Sequence, residues 1–286
     1  MKIAITGATG YLAGNILKRL IKNTDVDEIA VIEHKRHVDF NSEKISYYSA
    51  LSDSELRAAI HNSSFVIHFA ALYKTGTDLE TVEELVKSNI LLTSQILAVS
   101  SEQDNCRVII PTTFSMLSNT QELIPSTFYA ATKAFAELSA DNFNTNTTFL
   151  RLPDTFGSHD PRHKVIDLML SSFFEKKELR LKKSKDFELN VISVEDLVNI
   201  VEHIIYLNND TKIQKYDLFY PVNKITIGEI VNIIDKDNSF VSCSNESYSP
   251  EVVNQKYVLP GYSIKYPISE RIKQEVKTRY LEDKNV

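Results

Sequence analysis

Cysteine is scarce in this chain. Cys106 and Cys243 are the only two in 286 residues, too few and too far apart for a disulfide framework, which points to a reduced, cytoplasmic setting. No apolar run reaches the ~18 residues that span a bilayer. The N-terminus reads directly as strand, so neither a membrane span nor a secretory leader is expected. Positive charge is not in excess either: 32 Lys and Arg face 38 Asp and Glu, a net charge of −6. That balance argues against nucleic acid as the main partner. Repeats, low-complexity linkers and metal-ligand spacings are absent, and no metal is expected. What remains is an ordinary globular composition, 43% hydrophobic and 24% charged, with length for one large or two small domains.

Glycine is sparse too, but unevenly spread. Three of the seven glycines, Gly7, Gly10 and Gly14, fall within the first fourteen residues. The run Ile3-Ala4-Ile5 reads as a short buried strand that breaks at Thr6-Gly7, and Ile16, Leu17, Leu20 and Ile21 follow at helical spacing. A strand, a glycine turn and a helix form half of a nucleotide-binding βαβ unit. A pyrophosphate needs bare backbone N–H groups at a helix N-terminus, where the dipole favours an anion. Gly7 permits the tight turn, Gly10 the close approach, and Ala13 the packing of helix on strand.

A second apolar strand, Ile29-Ala30-Val31-Ile32, ends at Glu33, about twenty residues past the glycines. A carboxylate there accepts the ribose hydroxyls of NAD. His34, Lys35, Arg36 and His37 follow and would attract a 2′-phosphate that Glu33 repels, or form a solvated turn. Glu33 favours NAD over NADP.

Strand-like and helical patterns then alternate. Strands are expected at 45–48, 65–69, 107–110 (stopped by Pro111) and 148–150. Helices are expected from an N-cap at Asp53 to Ile60, over 79–101 and over 128–142. Such alternation predicts a parallel sheet covered by helices on both faces, with ligand at the carboxyl ends of the strands. Beyond Arg151 the pattern loosens: a loop at 153–162, a helix at 165–175, a basic stretch at 176–185, a strand at 189–192 and a helix opened by Glu195-Asp196. A short helix at 228–234, a polar turn-rich region at 235–256 and a last helix from Ser269 complete it. Residues 1–151, with 187–220 returning, read as the dinucleotide-binding domain. Residues 152–186 and 221–286 read as a smaller, discontinuous cap that holds substrate.

Tyr129 and Lys133 open a helix one turn apart on one face. A free tyrosine, with pKa ~10, is a poor acid or base at neutral pH; an ammonium one turn away, with an oxidised nicotinamide, stabilises its phenolate. Thr112 and Thr113 follow a strand directly, at its carboxyl end. A hydroxyl there can bond the same substrate oxygen as Tyr129, although turn chemistry explains Thr112 equally well.

These residues together resemble the extended short-chain dehydrogenase/reductase family, known for enzymes of nucleotide sugars. The matching motifs are Thr6-Gly7-Ala8-Thr9-Gly10-Tyr11-Leu12-Ala13, Val66-Ile67-His68-Phe69-Ala70-Ala71, Ser88-Asn89-Ile90, Thr113 and Tyr129-x-x-x-Lys133. Leu150-Arg151-Leu152-Pro153-Asp154-Thr155-Phe156-Gly157 and Val191-Ile192-Ser193-Val194-Glu195-Asp196-Leu197 extend the match to about residue 200. The resemblance implies a Rossmann-type doubly wound α/β sheet with a small discontinuous C-terminal substrate-binding cap. It implies Tyr129 as general acid/base, Lys133 on the nicotinamide ribose, and Thr113 in the serine/threonine position. Gly7, Thr9, Gly10, Tyr11, Leu12, Glu33, Leu51, Phe69, Ala70, Ala71 and Pro153 join Tyr129 and Lys133 as the cofactor-binding set. Asp154 falls where relatives often place an asparagine facing the sugar nucleotide, and Lys74 and His159 are further substrate candidates, although loop residues of these types are more often solvated.

Departures from the family pattern are informative. Ala50 replaces an aspartate that often binds adenine. Leu189 replaces an arginine that contacts the substrate pyrophosphate, and Lys182, Lys183 or Lys185 either substitute for it or form a solvated basic loop. The 4,6-dehydratases carry Asp-Glu directly after the threonine; Phe114 and Ser115 stand here, which excludes dehydration. Reduction of a keto sugar or internal epimerisation remains. The loop Phe156-Gly157-Ser158-His159-Asp160 and the stretch Ile225-Thr226-Ile227-Gly228-Glu229-Ile230 are loosely similar to the synthases of CDP-linked 3,6-dideoxyhexoses, which are 4-ketoreductases. The expected function is NAD(P)-dependent reduction of a nucleotide-linked 4-keto-6-deoxy or 3,6-dideoxy sugar for surface polysaccharide. The rivals are an NAD-dependent epimerase and a non-catalytic dinucleotide sensor, the latter opposed by intact Tyr129, Lys133 and Thr113. Family members often dimerise through the helices flanking the site, here 79–101 and the Tyr129 helix, and a homodimer stays open.

Overall fold

The computed structural model describes residues 1–237, 239–244 and 255–283. The chain divides into two compact units: Met1–Arg151 with Val198–Asp217, and Leu152–Leu197 with Leu218–Val286. Of the 187–220 stretch expected to return to the first domain, residues 198–217 do so, while 187–197 and 218–220 lie in the second unit.

Along the chain, β1 (Lys2–Thr6) leads through the glycine turn into α1 (Tyr11–Lys22), whose Ala13, Ile16, Leu17 and Leu20 recur at helical spacing and are buried. Next come β2 (Glu28–Glu33) and β3 (Ile45–Ser49). Helix α2 (Asp53–Ile60) is capped by Ser52, whose hydroxyl accepts the Glu55 N–H at 3.3 Å, so the cap lies one residue before Asp53. After β4 (Phe65–His68), the expected long helix forms as α3 (Leu79–Leu85) and α4 (Leu92–Ser100), joined through a π-helical stretch, Val86–Leu91. Strand β5 (Arg107–Thr113) runs through Pro111 instead of stopping there. Its pairing with β4 ends at Ile109, so on that side the missing N–H breaks no ladder bond. Thr112 is therefore strand, not turn. Helix α5 (Phe128–Ser139), capped by Thr127, ends in a 3₁₀ turn, and β6 (Asn146–Leu152) follows.

Beyond it, β7 (Asp154–Phe156) forms within the stretch expected as a loop, followed by α6 (Val165–Glu175), β8 (Leu179–Ser184), β9 (Glu188–Ser193) and α7 (Val194–Tyr206). Strand β10 (Ile213–Asp217) has no apolar run to announce it. Then come β11 (Lys224–Thr226), α8 (Ile227–Ile234), β12 (Val241–Ser244) and α9 (Ile268–Asp283). Within the turn-rich region at 235–256, residues 238 and 245–254 lie outside the described residues.

The first unit is built on a seven-stranded sheet in the order β10-β6-β5-β4-β1-β2-β3. Its ladders run parallel from β1 to β2 and β4, from β2 to β3, from β4 to β5 and from β6 to β10. It is a doubly wound sheet, with strand order reversing between β1 and β4. In open sheets of this kind ligands bind outside the strand ends at the reversal, which here means Thr6 and His68. A core of Ala4, Ala30, Leu56, Val66, Ile96, Leu97, Val108 and Phe149 supports those ends.

In the second unit, β11, β9 and β7 form one small sheet and β12 and β8 another. Residues 187–197 belong here because β9 pairs with β7 and β11. The core gathers Phe156, Ile166, Met169, Val191, Ile230 and Ile272.

Candidate active site

The carboxyl ends of β1 and β4 are knitted by hydroxyls. Thr6 Oγ1 lies 2.8 Å from His68 Nδ1 and accepts the Ala70 N–H at 3.1 Å, while His68 Nε2 lies 2.9 Å from Thr93 Oγ1. His68 is buried, and desolvation, with Lys133 nearby, pushes its pKa down to about 3. It is a neutral strut.

The glycine turn sits directly on this seam. Gly7 has φ +77°, and a Cβ on it would come within 2.7 Å of the Ala70 backbone nitrogen and 2.8 Å of the Phe69 carbonyl carbon. Gly10 donates its N–H to the Gly7 carbonyl at 2.8 Å and starts α1. Thr9 and Gly10 are exposed; Tyr11 and Leu12 are half-buried. At the end of β2, Glu33 Oε2 pairs with His37 Nδ1 at 2.8 Å and Oε1 accepts the Val38 N–H at 3.3 Å. Phe69 and Ala70 are half-buried and Ala71 is exposed, as is Leu51, 71% accessible after β3.

Helix α5 carries Tyr129 and Lys133. Lys133 is buried and hydrogen-bonds to none of the described residues; desolvation lowers its pKa to about 8. The ring of Tyr129 meets that of Tyr73 edge to face, with centroids 4.8 Å apart and planes at 81°. Thr113, at the end of β5, bonds Ser115 Oγ at 2.9 Å and accepts the Ser115 N–H, capping a 3₁₀ turn, Phe114–Met116.

Two positioning groups carried no assigned role in the sequence reading. Asn89, in the π-helical stretch, accepts the Leu72 N–H at 2.8 Å and donates to the Leu72 carbonyl at 2.9 Å and to Thr132 Oγ1 at 3.0 Å. Thr132 in turn donates to the Tyr129 carbonyl at 2.7 Å. Glu137, one turn beyond Lys133, is buried and takes the Thr112 hydroxyl at 3.1 Å and two guanidinium bonds from Arg151, at 3.0 and 2.7 Å. Lys215 and Asp217 of β10 close this cluster as ion partners of Glu137 and Arg151. The only signal for Glu137 was its spacing of four from Lys133.

The substrate candidates are dispersed. Lys74 is paired with Glu84. Asp154 and His159 belong to the second unit, as does Pro153 of the expected cofactor-binding set; Asp154 lies 3.4 Å from Lys164 and His159 is exposed. Leu189 packs against the second core, and Lys183 lies over the Phe187 ring at 4.5 Å. Among the described residues no group of three or more His, Cys, Asp or Glu is placed to hold a metal, and no helix is long and apolar enough to cross a membrane.

The profile of the NAD dependent epimerase/dehydratase family matches residues 3–218, spanning the glycine turn, Thr113, Tyr129 and Lys133. The chain belongs to this family. As a family member it takes a nicotinamide dinucleotide as cofactor, and its residues fit one: the turn at Gly7 has no room for a side chain, and Lys133, buried on α5, hydrogen-bonds to none of the described residues. The chain is similar to the CDP-abequose synthase of Yersinia pseudotuberculosis, 21% identical over 97% of this chain and 100% of that one. In fold it resembles MoeE5 in complex with UDP-glucose and NAD (TM-score 0.79, 16% identity, 99% of this chain and 100% of that one). It also resembles the UDP-glucuronic acid 4-epimerase of Bacillus cereus with UDP-glucuronic acid and NAD (TM-score 0.78, 17% identity, 99% of each chain).

Proposed function

We propose that the protein reduces a nucleotide-linked 4-keto-6-deoxy or 3,6-dideoxy sugar to its alcohol. The observation that carries this reading is the Tyr129–Lys133 pair on α5, with a buried ammonium whose pKa is lowered to about 8. Likeness to a CDP-abequose synthase along 97% of the chain adds to it. The turn after Thr113 offers Phe114 and Ser115, with no carboxylate pair for elimination of water.

When bound, the reduced dinucleotide supplies the hydride. Tyr129 donates its phenolic proton to the sugar carbonyl oxygen as it becomes a hydroxyl. Lys133 favours the resulting phenolate electrostatically and holds the cofactor ribose. The Thr113 hydroxyl steadies the same sugar oxygen. Gly7, Gly10 and the start of α1 take the pyrophosphate. Glu33, its carboxylate oriented by His37 and the Val38 N–H, takes the ribose hydroxyls and repels a 2′-phosphate, which favours NAD. Substrate holding by the second unit, with Asp154 and His159, is part of the same proposal.

Epimerisation is the rival, favoured by the fold-level likeness to a UDP-glucuronic acid 4-epimerase. The test is to denature freshly purified protein and identify any nucleotide released. Little or none is expected of a reductase with an exchangeable cosubstrate. Near-stoichiometric NAD would favour the epimerase, whose hydride leaves and returns to one sugar. A Tyr129→Phe variant separates both from a sensor: turnover of 4-keto sugar nucleotides is lost while nucleotide binding persists.

A further inference from the structure

The loop after β4 holds an aromatic ring at the surface. Tyr73 is 61% exposed, yet its ring stands edge to face with that of Tyr129. Both flanks of the loop are pinned. Leu72 is clipped through its N–H and its carbonyl to Asn89, at 2.8 and 2.9 Å. On the other side, the ion pair of Lys74 with Glu84 of α3 engages the cationic head of the next residue. An ordered, solvent-facing ring beside a proton-transferring phenol is surface that a ligand can cover.

The local sequence sharpens what kind of surface it is. Phe69-Ala70-Ala71-Leu72-Tyr73 carries no charged side chain. The first charged group is Lys74, and it is already paired. The ring that meets the Tyr129 ring thus offers aromatic carbons, with its own phenolic hydroxyl at one end, to a ligand seated beside Tyr129.

We propose that Tyr73 is a specificity-determining residue: its ring receives an apolar face of the sugar beside Tyr129 and selects a deoxygenated carbon over a hydroxylated one. The inference rests on the nucleotide-sugar reading above and names the feature of the sugar that the site selects. A methyl group against the ring gains by leaving water. A hydroxyl set against the ring carbons gives up its water hydrogen bonds for atoms that return none.

The test is calorimetric titration of the wild type, Tyr73→Ala and Tyr73→Phe. The probes are dTDP-glucose against dTDP-6-deoxyglucose, and the matching CDP-linked pair. Each pair differs only in the C6 hydroxyl. The wild type should bind the 6-deoxy member about tenfold more tightly, equivalent to about 1.4 kcal/mol. Tyr73→Phe should keep that ratio, and Tyr73→Ala should bring it near unity by weakening the 6-deoxy member alone. Equal weakening of both members by Tyr73→Ala would show that the ring merely supports Tyr129 and would overturn the inference. An unchanged ratio in Tyr73→Ala, or no preference in the wild type, would also overturn it while leaving the nucleotide-sugar reading standing. Failure of every sugar nucleotide to bind the wild type would remove that reading, and this inference with it.

Discussion

The hydroxyl of Thr112 donates to Glu137 Oε1 across 3.1 Å. That bond ties the strand ending in Thr113 to the helix carrying Tyr129 and Lys133. Arg151 bonds the same carboxylate from β6, and Lys215 reaches it from β10. Three strands therefore fix the position of one helix.

Glu137→Ala should destabilise the fold by about 3–5 kcal/mol, because it leaves the Arg151 guanidinium, 3% exposed, without its bidentate partner. Glu137→Gln keeps an acceptor for Thr112 and should cost less. Urea unfolding of the two variants at neutral pH checks the order.

Lys133 carries a charge where burial opposes it. Its pKa is lowered to about 8 from 10.5, so the folded state sheds the proton before the unfolded chain does. The penalty on the fold is complete below about pH 8 and is relieved as pH rises from 8 to 10.5. Lys133→Met should therefore raise the stability of the cofactor-free protein at pH 7 by about 1–3 kcal/mol and flatten the rise above pH 8. The same change should abolish turnover. Thermal unfolding at pH 7 and pH 9.5, beside an activity assay, measures both effects.

His68 works at the acid end. Its folded pKa is near 3, whereas an exposed imidazole titrates near 6.5. Between those values the unfolded chain binds a proton that the folded one refuses, so stability falls as pH falls through 6.5. The loss from this residue should be about 2 kcal/mol between pH 6.5 and 5. Urea titrations at the two pH values should show a shallower loss in His68→Gln.

Gly7→Ala should be damaging although it adds one methyl group. The φ of +77° is strained for alanine, and the new carbon meets the Ala70 backbone, which cannot swing aside. A loss of about 2 kcal/mol or more is expected, with weaker binding of NADH followed by fluorescence. Gly14→Ala is a milder control, since its Cβ would lie 3.0 Å from the Ala8 carbonyl oxygen.

Much of this protein was decided within short stretches of chain. Alternating strand and helix periods specify a doubly wound sheet, because each element buries its own apolar face. The glycines after β1, Glu33 at the end of β2, and the one-turn spacing of Tyr129 and Lys133 are local too, and all were legible. Other features arise only when distant segments meet. Ser52 displaced Asp53 as a cap, and Pro111 stayed within its strand because the neighbouring ladder had already ended. Strand β10, with Gln214, Lys215 and Asp217, carries no apolar signal; its polar groups find partners on β6 and α5. The partners of Asn89 lie 17 and 43 residues away along the chain, and Arg151 lies 14 from Glu137. The ring of Tyr73 meets Tyr129 across 56 positions of sequence. Periodicity reports which face of an element is buried, and it holds no record of which buried polar groups will satisfy one another. Only the packed tertiary structure settles that.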